Sequence, residues 1–222
     1  MILLEGTRRS QTLNFPNAYT VLLPDAPRAG ERFPLVLCLH DLGEDRQSMA
    51  YAIHSATLPG QMRTALVIPD GRRSCFLDMA HGPRWNAYLE RELLPALCAS
   101  MPCDSSRLSV LGLGAGALGA LALARRGLPC VLIDPCTQDP LARNAMRWPC
   151  EAEWLSLFEG REAQWQPGPW DEGDGLLLGN PQALTAAAAQ LGLRRWRAEP
   201  SEAKRSDLLA RALEWLENEA KG

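Results

Sequence analysis

The stretch Leu108-Ser-Val-Leu-Gly-Leu-Gly-Ala-Gly-Ala-Leu-Gly-Ala-Leu-Ala-Leu-Ala-Arg-Arg-Gly127 decides the fold. Its first part, Leu108 to Gly112, is an apolar run of strand length. Its second part, Ala115 to Arg126, is rich in Ala and Leu and stops at Gly127, which suits a helix with a C-cap. Between them Gly112, Gly114 and Gly116 free the backbone for a sharp reversal. A strand that turns abruptly into a helix is the repeating unit of an α/β sheet.

Working outward, apolar runs recur at Tyr19 to Leu23, Pro34 to His40, Ala65 to Pro69, Cys130 to Asp134, Gly175 to Gly179 and Leu193 to Ala198. Most are continuously apolar, as strands buried on both faces of a parallel sheet are. Helical patterns alternate with them. Trp85 to Met101 carries Tyr88, Leu89, Leu93, Leu94, Leu97 and Cys98 as one stripe, with Pro95 predicting either a kink or a helix boundary a few residues away. Gln182 to Leu191 ends at Gly192, and Asp207 to Ala220 forms a closing amphipathic helix. The pattern predicts a mostly parallel central sheet of about seven to eight strands flanked by helices. At 222 residues one core is expected, a single domain over 1–222. Only 135–174 breaks the rhythm. It carries Trp148, Trp154, Trp165 and Trp170 without a clear strand, and reads either as a lid-like insertion or as an irregular connection packed on the body.

A formal net charge of -3, with Lys and Arg scattered, provides no basic field for a phosphate backbone, so nucleic acid is not an expected partner. No run reaches membrane-spanning length and the first thirty residues lack a signal-like apolar core, so a cytoplasmic protein is expected. Cys38, Cys75, Cys98, Cys103, Cys130, Cys136 and Cys150 show no CxxC spacing. They read as reduced thiols rather than metal ligands, and no cofactor is called for.

Three stretches give a more specific likeness: Ala18 to Pro24 continued by Phe33-Pro-Leu-Val-Leu-Cys-Leu-His-Asp-Leu-Gly43, then Ile68 to Pro95, then Val110 to Leu121. Together they resemble the esterase family of α/β-hydrolases that includes tributyrin esterase, feruloyl esterases and S-formylglutathione hydrolase. The likeness is best over about 18–134 and most specific at Ile68 to Pro95. It implies the α/β-hydrolase fold, an oxyanion loop at His40 to Gly43 and a nucleophile elbow at Gly112 to Gly116. Asp41 stands where that loop ordinarily has its first glycine, and Gly114 stands where the elbow has its serine.

A serine esterase needs a hydroxyl on the elbow, an imidazole to take its proton, a carboxylate to orient the imidazole, and two N–H donors for the oxyanion. The elbow offers no hydroxyl or thiol. The resemblance puts the acid after Gly175 to Gly179, where Asn180-Pro-Gln follows, with Asp134 as a substitute from the neighbouring strand. It puts the histidine in Ala198 to Ser206, and no histidine follows His81. What remains is the binding half: the backbone N–H groups of Leu42 and Ala115, with His40, Asp41, Asp78, His81 and Trp85 expected around the same mouth. Asp41 works against an anion there. His40 reads as a structural hydrogen bond under the loop or as a ligand contact, and His81 as a solvent-facing residue or a contact. Cys75 or Cys136 as a displaced nucleophile lacks an activating neighbour.

Three functions stand at this point. The first is a pseudo-esterase that binds a small ligand or a partner in a vestigial cleft. The second is a hydrolase of small carboxylic esters, or another enzyme, using His40, Asp41, Asp78 or His81 as acid and base. The third is a structural subunit, a homo-oligomer joined through the Trp-rich segment.

Overall fold

Along the central strand, alternate side chains part to opposite faces, as a pleated backbone requires. Leu35, Leu37 and Leu39 enter one apolar cluster, while Val36 and Cys38 enter another on the far side of the sheet. A strand buried on both faces needs cover on both, and the chain supplies it. The computed structural model describes residues 1–25, 27–57, 62–125, 127–135, 175–181, 184–185, 193 and 196–220.

Among the described residues eight strands form one sheet: β1 (Ile2–Arg9), β2 (Pro16–Leu23), β3 (Phe33–Leu39), β4 (Ala65–Pro69), β5 (Cys103–Leu113), β6 (Cys130–Ile133), β7 (Gly175–Gly179) and β8 (Arg197–Pro200). Their order is β1-β2-β4-β3-β5-β6-β7-β8. The β1–β2 and β2–β4 pairs are antiparallel and every other pair is parallel. Helices α1 (Arg46–Ala56) and α5 (Arg205–Glu219) bury Met49, Ile53, Leu208, Leu209 and Leu213 on one face. On the other face lie α2 (Trp85–Tyr88), a π-helical turn (Leu89–Leu93), α3 (Leu94–Ser100) and α4 (Gly116–Ala124). They bury Trp85, Tyr88, Leu93, Leu97 and Leu118.

Several boundaries differ from the sequence expectation. β1 was not foreseen because it is an outer antiparallel strand with a mostly exposed, charged sequence. α1 was not foreseen either: only Met49, Ala50 and Ile53 of its eleven residues are buried. Its start is fixed by Asp45, which accepts from the N–H groups of Gln47 and Ser48 in a capping box. The last strand is Arg197–Pro200 rather than Leu193 to Ala198. Trp196 is buried in the approach to the strand, where it covers Gly175 of β7, and the edge strand itself is polar. The single kinked helix expected from Trp85 to Met101 is three segments in series. Pro95 falls in the first turn of α3, where its missing N–H costs least, and the π-helical turn widens the helix just before it. Of the helix expected at Gln182 to Leu191 only 184–185 are described, and they are helical; of the lid-like 135–174 all but Pro135, with its four tryptophans, Cys136 and Cys150, lies outside the described residues. No helix among the described residues is long and apolar enough to cross a membrane.

Candidate functional site

Parallel strands end together at one edge of the sheet, and loops leaving them there converge. β3 ends at Leu39 and β5 at Leu113, side by side in register. The turn after β5 pivots on Gly114, whose φ of +52° is the left-handed conformation that glycine adopts without strain. Gly114 donates its N–H to the carbonyl of Ile133 at 3.0 Å. α4 then starts pressed against the end of β3, because a Cβ on Gly116 would meet the carbonyl oxygens of Leu39 and His40. A Cβ on Gly112 would lie 2.7 Å from the Ala117 Cα. The small residues of the elbow are therefore required by packing, serine or no serine.

The two N–H groups expected to form an oxyanion hole do converge. Leu42 N–H and Ala115 N–H each donate to Asp41 Oδ1, both at 2.8 Å. The hole is thus filled by the chain's own carboxylate. Asp41 Oδ2 accepts from Arg205 Nη2 at 3.0 Å, and the same guanidinium pairs with Glu44. A Cβ built on Gly114 would fall inside the Asp41 carboxylate, well within 3.0 Å of both of its oxygens. A serine at 114 and Asp41 in this position exclude each other.

Arg205 is the residue that sequence reasoning missed. It opens α5, inside the stretch Ala198 to Ser206 that the resemblance assigns to the histidine, and reaches back over 164 residues to Asp41. The available signal was that placement, a cation where an imidazole was sought. Asp134, the substitute acid, directly follows β6 with φ +44°. Its Oδ1 accepts from the Asn180 N–H at 3.2 Å, so the carboxylate ties the end of β6 to the end of β7.

His40 is buried beneath the elbow with both ring nitrogens engaged. The Gly71 N–H donates to Nε2 at 2.9 Å, which leaves Nδ1 to donate to the Asp41 carbonyl at 2.9 Å. Its ring stands edge-on to Phe76, centroids 5.1 Å apart. Asp78 Oδ1 accepts from the Ala87 N–H at 3.0 Å, capping α2. Trp85 is buried against Phe15 and Tyr88, while exposed His81 joins it in lining a concavity whose walls include none of Asp41, Leu42, Gly114 or Ala115. The candidates thus divide: Asp41, Leu42, Gly114 and Ala115 form one node, His40 supports it, and His81 and Trp85 face another space.

The described cysteines are all buried and unbridged. Burial pushes the thiols of Cys38, Cys98 and Cys130 up, and that of Cys103 up to about 11. Such thiols are poor sources of thiolate. No cluster of three or more His, Cys, Asp or Glu suited to a metal occurs among the described residues.

No protein family and no curated protein matches the sequence. Solved structures do. FphF, a fluorophosphonate-binding serine hydrolase of Staphylococcus aureus, superposes with a TM-score of 0.72 at 16% identity, covering 97% of this chain and 98% of that one. A ferulic acid esterase gives 0.73 at 15% identity, covering 98% of each chain. An S-formylglutathione hydrolase from Agrobacterium tumefaciens gives 0.72 at 16% identity, covering 98% and 95%. The chain therefore has the α/β-hydrolase fold.

Proposed function

We propose that this protein is a non-hydrolytic relative of the fold's esterases, in which the nucleophile elbow has become a structural ion-pair node and the role is binding. The observation that carries the reading is Asp41 seated on the Leu42 and Ala115 N–H groups, in the space a Gly114 side chain would need. An ester carbonyl would have to displace a carboxylate already held by two N–H groups and a guanidinium, and nothing on the elbow could attack it. The absence of any histidine beyond His81 in the sequence supports the same reading. Acid–base chemistry by His40 or Asp78 gains no support, since the bonds of their ring nitrogens and carboxylate hold loop and helix in place.

The test is turnover and labelling. Clean protein should hydrolyse p-nitrophenyl butyrate no faster than buffer, and a fluorophosphonate probe should leave its intact mass unchanged. Turnover that survives substitution of Gly114, or a stoichiometric phosphonyl adduct, would remove the reading.

A further inference from the structure

The loop from β4 to α2 and the tip of the β1–β2 hairpin wall a concavity of about 430 Å3. That volume lies in the range of small-molecule sites, about 300–1,000 Å3. Its chemistry is two-sided. Phe15, Met79 and Trp85 supply apolar surface, with Phe15 and Trp85 packed edge to face at 5.8 Å. Arg72, Arg73 and His81 are exposed and line the same space. No Asp or Glu is among the described lining residues. The Arg72 guanidinium lies over the Phe15 ring, 4.7 Å from its centroid, so this cation is held against the apolar wall.

The walls are also built at a cost. Five residues other than glycine have positive φ among those described, and four belong to these walls or adjoin them: Asn14 at 64°, Arg72 at 52°, Cys75 at 52° and Phe76 at 58°. For Arg72, Cys75 and Phe76 such a conformation is strained and persists only where surrounding bonds over-determine it. Those bonds are present. The buried Ser74 hydroxyl donates to the Gly71 carbonyl at 2.7 Å and accepts from the Phe76 N–H at 3.0 Å, while His40 fixes the Gly71 N–H. A strained, firmly tied loop that presents cations beside aromatic surface is preorganised for a ligand.

We infer that this concavity binds a small amphipathic anion, a carboxylate on an apolar body of bicyclic size, with the body on Phe15, Met79 and Trp85 and the carboxylate on Arg72. The inference rests on the reading that the protein's role is binding, and it names the place and the ligand class. Charge complementarity selects the anion, because the described lining residues include two arginines and no acid. The apolar floor and the volume select the body.

The probe is 2-naphthoate, titrated into the full chain labelled with methyl-13C methionine; the Met79 signal is identified by its loss in Met79→Leu. Naphthoate should shift that signal saturably, and should bind roughly tenfold or more tightly than neutral 2-naphthamide, the scale of one charge-assisted bond. Arg72→Asn removes the cation while keeping a residue that accepts positive φ, and should reduce the preference to about twofold or less. An unmoved Met79 signal at about millimolar ligand, equal binding of naphthoate and naphthamide, or a preference untouched by Arg72→Asn would each overturn the inference. The outcome is separable from that of the turnover assay: naphthoate binding in a protein that also hydrolyses esters would sink the non-hydrolytic reading and leave this site standing.

Discussion

At Asp41 a single oxygen gathers two backbone N–H groups, each 2.8 Å away. Hydrogen bonds to a charged acceptor contribute about 1.5–3 kcal/mol apiece, and a buried donor left without one costs a similar amount. The Arg205 pair contributes less, since its two side chains remain 37% and 26% exposed and water screens them. Both N–H bonds are part-buried, so water can take the place of the lost carboxylate. Asp41→Ala should therefore lower stability by about 1–3 kcal/mol, less than the sum of the two bonds, and Arg205→Ala by under about 1 kcal/mol, both read by urea unfolding. The reverse order would show that the ion pair, rather than the N–H cradle, holds the node. Gly114→Ser tests the exclusion between the two positions. By overpacking it should cost about 1–3 kcal/mol alone, and clearly less when made together with Asp41→Gly. A double-mutant cycle with no coupling would mean that the carboxylate moves aside freely.

Among the elements, the ones that carry the site are buried and regular, whereas those that frame it are held by particular polar contacts. Glu92, in the π-helical turn, accepts from the backbone N–H groups of Thr12 and Gln11, the former at 2.7 Å, and from the Thr12 hydroxyl. It ties the β1–β2 hairpin, and with it Phe15, to the helical layer. Partial burial raises the Glu92 carboxyl, but the bonds from Thr12, Ser10 and Gln11 outweigh it and leave it below the ordinary value of 4.5. Because the folded state binds its proton less readily than the unfolded state, this contribution is present above pH 4.5 and is lost as pH falls below it. Glu92→Gln should be less stable than the parent near neutral pH, by about 1 kcal/mol, and the difference should shrink as pH drops to about 3. A difference constant from pH 7 to about 3 would mean that the tie does not depend on the charge.

Over the whole molecule, stability rests in the two apolar layers. Leu209 of α5 is fully buried in the layer that covers β6 and β7, whereas Leu3 of β1 is 51% exposed. Leu209→Ala should cost about 2–5 kcal/mol, and Leu3→Ala within about 0.5 kcal/mol; comparable costs in thermal unfolding would contradict this arrangement of the core. The inner strands β3, β4, β6 and β7 were legible within a residue or so, because a strand buried on both faces must be written as an apolar run. The start of β5 at Cys103 was not, since its register against β3 is interrupted between Pro34 and Leu35. β1 and β8 were not, because an edge strand in contact with water needs no such run. The elbow at Gly114 was legible too, as close packing and a positive φ leave few residues other than glycine. What the sequence by itself determined was therefore the inner strands, the turn after β5 and a glycine at its pivot, all written locally in side-chain size, polarity and backbone freedom. Only the tertiary structure decided what the Leu42 and Ala115 N–H groups hold, because Asp41, Ala115 and Arg205 are far apart in the chain and meet only when β3, β5 and α5 have docked.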